Sequence, residues 1–238
     1  MENLSGKSAL ITGGSRGIGR AVALKLASIG VNIAITGRNY ESLQETLAAA
    51  DQYDVDAAAI VADMKNKDDI KAAVNHTIET FGHIDILINN AGVMDNALFL
   101  DTTEEMFRDL FETNVMGPYH MMQQVLPQMI ERKTGDIVNI ASMSAVNASE
   151  QTAAYSATKF ALTGLTEGVM KEMRKHNIRT FTINPSAVLT DLIGEPSLER
   201  DTMIHAEDVA DVIVSQLQLN RRVFVKTNQI WATNPQQK

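Results

Sequence analysis

Residues Ser8–Gly19 read SALITGGSRGIG, and this stretch decides the fold of the chain. Ser8–Thr12 predicts a buried strand, and a helix is predicted to follow from Gly17. A strand, a glycine-rich turn and a helix offer backbone N–H groups and the positive end of a helix to a phosphate. Gly13 permits the tight turn, Gly17 lets a pyrophosphate approach, and Gly19 lets the helix pack against the sheet. The spacing G-x-x-x-G-x-G is weak evidence alone, but its place directly after the first strand favours a dinucleotide site.

The rest of the chain alternates short β-branched runs with longer amphipathic stretches, which predicts a parallel sheet covered on both faces. Right-handed crossovers then make the fold class a Rossmann-type, doubly wound α/β fold of three layers, in one domain over residues 1–238. Strands are predicted at Ser8–Thr12, Asn32–Thr36, Ala57–Val61, Ile84–Asn89, Asp136–Ser142, Arg179–Ile183 and Arg222–Lys226. Helices are predicted at Gly17–Ile29, Glu41–Ala50, Lys67–Phe81, Thr103–Asn114, Pro118–Arg132, Ala153–His176 and Ala206–Leu219. Pro118 suits a first helical turn, so a bend is expected near Met116–Gly117.

The composition is that of a globular protein, with 238 residues, 45% hydrophobic and 21% charged side chains. There is no cysteine, which excludes disulfides and thiolate catalysis, and the five histidines have no ligand-like spacing. The net charge of -8 disfavours non-specific binding to nucleic acid. No apolar run is long enough for a membrane span, and the short polar stretch Met1–Lys7 lacks a secretory hydrophobic region. A cytoplasmic protein without nucleic-acid or membrane partners is therefore expected.

Three residues in the second half of the chain, Ser142, Tyr155 and Lys159, have the chemistry to polarise and protonate a carbonyl. Tyr155 and Lys159 are four residues apart on a predicted helix and therefore share a face. A neighbouring ammonium is expected to lower the pKa of the tyrosine, so that Tyr155 exchanges a proton with the carbonyl oxygen. Ser142, at the end of a strand, is placed to donate a hydrogen bond to the same oxygen or, alternatively, to cap the strand end.

The end of the second strand predicts which dinucleotide is preferred. An acidic residue there binds the ribose 2′-hydroxyl of NAD, but this chain has Gly37 followed by Arg38. Guanidinium groups suit a 2′-phosphate, and Arg16 in the glycine turn adds a second one. NADPH is therefore the expected cofactor, unless both arginines are ordinary surface residues. Asp63, after the third strand, is expected either at the adenine edge or as a helix N-cap.

The same glycine turn permits a different interpretation. Residues Gly13–Gly17 also match G-x-S-x-G, the nucleophile elbow of serine hydrolases, with Ser15 as nucleophile. The elbow normally follows several strands that supply the oxyanion loop, whereas here the motif follows only the first strand. Ser15 is therefore better interpreted as a hydroxyl that faces phosphate.

Taken together, these motifs resemble those of the short-chain dehydrogenase/reductase family along nearly the whole chain. Thr12-Gly13-x-x-x-Gly17-x-Gly19 matches its cofactor turn, and Asn89-Asn90-Ala91-Gly92 matches the segment that steadies the sheet and lines the cofactor. The resemblance implies a catalytic tetrad of Asn114, Ser142, Tyr155 and Lys159. It implies that Lys159 also binds the nicotinamide ribose and that Asn114 holds a water of a proton relay, although Asn114 also suits a residue that stabilises a helix bend.

The segment after the sixth strand also resembles the family pattern, but Ser186 replaces the usual glycine after Pro185. Val188 and Thr190 are implied at the nicotinamide amide and a phosphate. No metal site is expected. The residues expected to bind the cofactor are Gly13, Ser15, Arg16, Gly17, Ile18, Gly19, Arg38, Asp63, Met64, Asn90, Ala91, Gly92, Tyr155, Lys159, Pro185, Val188 and Thr190.

Within the family, the chain resembles bacterial 3-oxoacyl-acyl-carrier-protein reductases of fatty acid biosynthesis. The C-terminal residues 229–235 are instead closer to members that act on 3-hydroxy acids and small carbonyls, and the predicted substrate loop, residues 191–205, is short. Acyl carrier protein is a candidate partner, because a basic cluster matches the carrier-docking positions. That cluster is Arg132, Lys133, Arg174, Lys175 and His176. The alternative, which the sequence favours, is that these are cations stabilised at helix C-termini.

Three classes of function follow from these observations. The first is an NADPH-dependent carbonyl reductase acting on a 3-oxoacyl thioester or another small carbonyl. The second is a serine hydrolase that uses Ser15, and the third is a regulatory protein that binds NADP without turnover. The resemblance implies a homodimer or homotetramer, paired through the predicted helices that contain Tyr155 and Met121. The methionines Met121, Met122 and Met129 suit either that interface or the core.

Overall fold

The computed structural model describes residues 1–194 and 198–237. The strands are β1 (Ser8–Thr12), β2 (Asn32–Gly37), β3 (Ala57–Val61), β4 (Ile86–Asn89), β5 (Gly135–Ile140), β6 (Ile178–Pro185) and β7 (Thr227–Ile230). They form one parallel sheet in the order β3-β2-β1-β4-β5-β6-β7. The α-helices are α1 (Gly17–Ala27), α2 (Tyr40–Ala50), α3 (Lys67–Phe81), α4 (Glu104–Phe111), α5 (Gly117–Arg132), α6 (Ala153–Met173) and α7 (Ala206–Leu217).

The strand order reverses at β1, which pairs with β2 on one side and β4 on the other. Ala9 of β1 is in register with Ile33 and with Ile86. The connections therefore leave β1 and β4 in opposite directions, and a crevice opens where these two strands end. Ligands of open parallel α/β sheets bind in such a crevice, beyond the carboxyl ends of the strands.

Apolar side chains cover both faces of the sheet, since neighbouring residues of a strand point to opposite faces. Ile11 and Phe181 belong to the core beneath α1, α2 and α7. Leu10 and Ile137 belong to the core beneath α3 and α5. All four side chains are almost fully buried. This arrangement confirms the predicted single-domain, doubly wound fold of three layers.

The methionines of α5 belong to the core of this chain. Met121, Met122 and Met129 are 0%, 2% and 0% exposed and pack with the buried residues under α3 and α5. Their flexible side chains fill the space between helix and sheet. Of the two interpretations offered by the sequence, the structure supports core packing.

The last strand was predicted at Arg222–Lys226, and this prediction is wrong. The strand that pairs with β6 is Thr227–Ile230, with Thr182 opposite Thr227. Arg221 extends towards the start of β5, where its guanidinium donates to Asp136 and to the carbonyl of Gly135. A turn at residues 221–222 contains this anchor, and residues 223–225 then lie outside any strand, with Val223 51% exposed, so the more polar segment after them supplies the strand.

Other elements differ from the predictions mainly at their ends. The helix predicted to reach His176 ends at Met173, and a single 3-10 turn, Arg174–His176, then leads to Asn177 in the left-handed region (φ 63°). The predicted bend is confirmed near Pro118, which lies in the first turn of α5. It takes the form of a π-helical turn, Glu112–Met116, that contains Asn114. Over the part of the chain that the structure describes, no helix is long and apolar enough to cross a membrane.

Candidate active site

The glycine turn after β1 is held in a conformation that side chains would disrupt. Gly13 has φ +66°, in the region that favours glycine. A Cβ on Gly19 would lie 2.1 Å from the carbonyl oxygen of Gly13 and 2.5 Å from Nδ2 of Asn90. Gly19 thus allows the first turn of α1 to pack directly on the glycine turn. The sequence predicts instead that this glycine lets the helix pack against the sheet.

Asn90 fastens the glycine turn to the end of β4. Its Nδ2 donates to the carbonyl oxygens of Thr12 and Gly13, at 2.9 and 3.1 Å. In return, Oγ1 of Thr12 accepts from the backbone N–H groups of Asn90 and Ala91, each at 3.0 Å. The two strand ends that flank the crevice are therefore fixed to each other by side-chain and backbone hydrogen bonds.

An elongated groove runs along this edge of the sheet. The expected cofactor residues that line it are Gly13, Ser15, Arg16, Gly17, Ile18, Arg38, Asp63, Met64, Asn90, Ala91, Gly92 and Thr190. Sequence reasoning missed Lys65, Asp109 and Thr113, which line the groove as well. Their contribution depends on how the end of β3 meets α4 and the π-helical turn, and no local motif marks that contact.

A second cavity adjoins the groove, and its lining contains three of the four expected catalytic side chains but not Asn114. It is lined by Ser142, Tyr155 and Lys159, and by Pro185 and Val188 from the segment after β6. The residues common to both spaces are Ile18, Asn90, Gly92, Val93, Thr190 and Leu192. A ligand that extends along the groove can therefore place one end beside the catalytic side chains.

Tyr155 and Lys159 lie on the face of α6 that meets the sheet, and both are almost fully buried, at 6% and 5% exposure. Nζ of Lys159 is 5.5 Å from the centroid of the Tyr155 ring. The same ammonium donates a hydrogen bond of 3.0 Å to the carbonyl oxygen of Ile140 at the end of β5. The two groups share a face of α6, as predicted, and this face lies at the carboxyl end of β5.

Burial changes the acidity of both groups. It lowers the pKa of Lys159 from 10.5 to about 8, because the charged form loses its hydration. It also raises the pKa of Tyr155, against a smaller lowering by the hydrogen bond with Ser142. The net shift of the Tyr155 pKa is therefore upward, so the predicted net lowering of this pKa is wrong. The ammonium lies over the ring and is bonded to Ile140, so desolvation of the phenol dominates.

Asn114 and Ser142 each make the local contacts that their alternative roles require. Oδ1 of Asn114 accepts from the N–H of Val93 at 2.9 Å, and its Nδ2 donates to the carbonyl of Val93 and to Oγ1 of Thr158. Asn114 therefore joins the π-helical turn to the β4 segment and to α6. Oγ of Ser142 accepts from the N–H of Ser144 and caps a single turn after β5, while it still lines the cavity.

Three cationic side chains line the groove, and two of them are paired with carboxylates. Arg16 forms an exposed ion pair of 3.3 Å with Asp191, and Lys65 forms one of 2.5 Å with Asp109. Arg38 lines the same region, directly after β2. The groove therefore presents cationic groups where Gly37 leaves no carboxylate.

Asp63 lines the groove and does not cap α3. Its Oδ1 accepts from the N–H of Lys65 at 3.0 Å, whereas the N-cap of α3 is Asn66. Of the two roles predicted for Asp63, the position in the groove is the one that fits. Ser15 also faces the groove, whose described lining contains no histidine that could serve as its base.

The segment after β6 approaches the cavity from the other side. Ser186 donates its backbone N–H to the carbonyl of Ile230 at 2.9 Å and does not require the left-handed conformation that glycine favours. Val188 forms an isolated bridge with Ile204, and Oγ1 of Thr190 donates weakly to the carbonyl of Val188. The predicted substrate loop, residues 191–205, follows directly. Its residues 195–197 lie outside the described residues.

The proposed docking cluster lies at the other end of the sheet. Arg132 is bonded to Asp85, at the start of β4. Lys133 ends α5 in the left-handed region, and residues 174–176 form the turn after α6. Both helix ends precede their strands, so this cluster is at the edge opposite the catalytic cavity of the same chain.

Comparisons with known proteins agree with this geometry. Residues 7–200 match the family model described as short chain dehydrogenase. An uncharacterized oxidoreductase of Staphylococcus saprophyticus is 32% identical over 94% of this chain and 97% of its own length. A 3-oxoacyl-acyl-carrier-protein reductase of Staphylococcus aureus is 34% identical over 78% of this chain and 76% of its length. A solved metagenomic short-chain oxidoreductase in complex with NADP has TM-score 0.87 and 29% identity, over 98% of this chain and 100% of that one.

Proposed function

This chain belongs to the short-chain dehydrogenase family and is an oxidoreductase, and on that premise we propose that it uses NADPH to reduce a carbonyl to a hydroxyl. The observation that carries the proposal is the junction of two spaces. The glycine-turn groove continues into the cavity that contains Ser142, Tyr155 and Lys159. One ligand in the groove and a second in the cavity would meet beside the Tyr155 hydroxyl.

The groove fits a dinucleotide because its floor is kept free of side chains. At Gly13, a Cβ would approach Nδ2 of Asn90 to 2.9 Å, and at Gly17 it would approach Cγ2 of Thr190 to 3.2 Å. The N-terminus of α1 lies behind this floor and favours a pyrophosphate. Arg38 and Arg16 suit the 2′-phosphate, while Lys159 is proposed to hold the nicotinamide ribose. The reduced nicotinamide, when bound, supplies a hydride.

The side chains of the cavity then supply the proton and stabilise the developing charge. Burial raises the pKa of Tyr155, so the phenol stays protonated at neutral pH and can donate its proton to the carbonyl oxygen. Ser142 donates a hydrogen bond to the same oxygen. Lys159, whose pKa is about 8, is charged at neutral pH and stabilises the phenolate that remains. Asn114 positions Val93 and the π-helical turn around Lys159, next to the proposed proton relay.

We propose a 3-oxoacyl thioester as substrate, with the reductase of Staphylococcus aureus as the supporting relative. A small carbonyl is the second candidate, and it is favoured by Trp231. This indole lines the cavity from the segment after β7, within the C-terminal residues that resemble members acting on small carbonyls. Residues 191–205 are proposed as the substrate loop, since Leu192 lines both spaces and so lies at their junction.

Assembly as a homodimer or homotetramer in the cytoplasm is also proposed. An exposed aromatic side chain on α6 supports pairing with another copy through the helices of Tyr155 and Met121, because Phe160 is 47% exposed. Acyl carrier protein stays a proposed partner through the cluster at residues 132–133 and 174–176. The placement of that cluster at the opposite edge means that a docked carrier would have to serve the cavity of another subunit.

The test follows the absorbance of reduced nicotinamide with acetoacetyl-CoA, comparing NADPH with NADH. We expect faster turnover with NADPH and a fall in kcat of about a thousandfold in Tyr155→Phe, because the general acid is lost. Tyr119→Phe, on the partly exposed face of α5, is the matched control and should keep its activity. Arg38→Asp should reverse the preference between the cofactors. Binding of NADPH without turnover of any carbonyl would favour the regulatory class, and activity without cofactor that depends on Ser15 would favour the hydrolase.

A further inference from the structure

Lys65 is a cationic side chain that lines the groove, and it belongs to none of the sequence motifs that predicted the cofactor site. It follows β3 by a few residues and lies in the groove lining together with Arg38, Asp63 and Asp109. We propose that Lys65 is a second specificity residue for the 2′-phosphate, and that Asp109 weakens this role by competing for its ammonium. The inference rests on the proposed use of NADPH and deepens it.

The contacts of Lys65 join the segment after β3 to α4 within the groove lining. Nζ of Lys65 donates to Oδ1 of Asp109, on α4, at 2.5 Å. Its backbone N–H donates to Oδ1 of Asp63 at 3.0 Å, which fixes the start of the side chain. Arg38 is near enough to act on the ammonium through its charge. The ammonium is therefore held between the β3 segment and α4, next to the guanidinium expected at the phosphate.

The charge of Lys65 persists under all ordinary conditions. The hydrogen bond with Asp109 raises the pKa of Lys65, which burial and the charge of Arg38 partly offset. The side chain of Lys65 is 37% exposed and that of Asp109 is 51% exposed, so their pairing is weak in water. A phosphate dianion offers the ammonium more charge and more acceptor oxygens than one carboxylate. Exchange of Asp109 for the 2′-phosphate is thus favourable.

Asp109 also has an effect of its own. Its carboxylate lines the groove and repels any phosphate that approaches Lys65. Removal of this charge should strengthen binding of a 2′-phosphate, whereas removal of the Lys65 charge should weaken it. A purely structural ion pair would give the same sign for both changes, since either change breaks it.

The test measures binding of 2′,5′-ADP and of 5′-ADP to the full chain by calorimetry. Lys65→Gln should weaken 2′,5′-ADP about tenfold, the loss of roughly one charge-assisted contact, and leave 5′-ADP unchanged. Asp109→Asn should tighten 2′,5′-ADP by about threefold and also leave 5′-ADP unchanged. Lys67→Gln, an exposed lysine outside the groove lining, is the matched control.

Each remaining outcome counts against the proposal. Equal losses for the two ligands in Lys65→Gln would make Lys65 a clasp over adenine, and weaker 2′,5′-ADP binding in Asp109→Asn would make the pair structural. If the wild-type chain does not prefer 2′,5′-ADP, the proposed NADPH preference itself fails. If the wild-type chain prefers 2′,5′-ADP and Lys65→Gln retains that preference, only the role of Lys65 fails.

Discussion

The two ends of the sheet use charged side chains in opposite ways. At the amino end, Asp136 is 1% exposed and binds two guanidinium groups, those of Arg179 and Arg221, at 2.5 and 2.9 Å. At the carboxyl end, Lys159 is equally buried, but the bond that holds its ammonium goes to a neutral carbonyl, that of Ile140. The ion pairs of the carboxyl end, such as Arg16 with Asp191, are exposed at the rim of the groove.

The charged groups at the amino end stabilise the fold, whereas the ammonium of Lys159 at the carboxyl end remains available for chemistry. Arg179 also donates to the carbonyls of Leu217 and Leu219, so each of its three guanidinium nitrogens has an acceptor within the buried network of Asp136. Asp85, nearby, accepts from Arg132 and from the N–H of Ser8, and its pKa stays low although burial raises it. The hydrogen bond of Lys159 goes to a neutral carbonyl and not to a carboxylate. Its pKa is therefore lowered to about 8, which reflects the free-energy cost of burying the ammonium.

The largest effect is expected when the buried carboxylate at the amino end, that of Asp136, is removed. Asp136→Asn leaves the guanidinium of Arg179, which is 4% exposed, without its counter-charge. We expect the free energy of unfolding to fall by about 3 kcal/mol, as when one partner of a buried pair is removed. Denaturant unfolding measures this, with the exposed Asp51→Asn as control. A loss as small as that of the control would mean that the network contributes little, while kcat of the folded enzyme should not change.

At the carboxyl end, removal of the buried charge should stabilise the protein. The pKa of Lys159 is lowered to about 8, so below pH 8 the folded state carries the full cost of the buried ammonium. This cost disappears as the pH rises from 8 towards 10.5, where the unfolded chain also loses the proton. The free energy of unfolding of Lys159→Met should therefore exceed that of the wild type by about 2 kcal/mol at pH 7, with the lost hydrogen bond to Ile140 already subtracted. Turnover should be lost in the same variant.

The measurement is the difference in unfolding free energy between Lys159→Met and wild type at pH 7, 8.5 and 9.5. The gain should shrink steadily with pH. Lys175→Met, which changes an exposed lysine after α6, controls for general charge effects. A gain that grows with pH, or a destabilised variant at pH 7, would contradict the assigned cost of burying Lys159.

The exposed pair of Arg16 and Asp191 should give the smallest effect. Both side chains are at least 70% exposed, so water and salt screen their attraction. We expect Asp191→Asn to change the unfolding free energy by less than about 0.5 kcal/mol. The same variant frees Arg16 for the groove, so binding of 2′,5′-ADP should not weaken. A clear loss of stability at low salt would mean that this pair stabilises the fold, as the buried network of Asp136 does.

Local patterns predict the fold well where each element is stabilised by its own sequence. Ser8–Thr12, Ala57–Val61 and Lys67–Phe81 have the bounds that the sequence predicts. The prediction of the last strand is wrong because a contact distant in sequence determines which segment pairs with β6. Val223 and Val225 have the better strand composition, but the contact between Arg221 and Asp136 fixes where the chain can rejoin the sheet.

The candidate site shows the same division between local and distant causes. The spacing of Tyr155 and Lys159 predicts their common face, because it depends only on helix geometry. The direction of the Tyr155 pKa shift is not predictable in this way, since it follows from burial by distant segments. Lys65 and Asp109 meet only when the β3 segment reaches α4, and neither residue belongs to a motif.

The place of β1 between β2 and β4 also has a consequence for how the chain folds. Its second partner, Ile86–Asn89, is separated from it by two strands and three helices. Contacts between segments so distant in sequence require loop closure before they contribute, which makes folding slow for a chain of this size. During synthesis, the backbone N–H and C=O groups on the β4 side of β1 emerge early and stay unpaired until β4 arrives. The strand order that opens the crevice thus exposes the nascent chain to association between sheet edges.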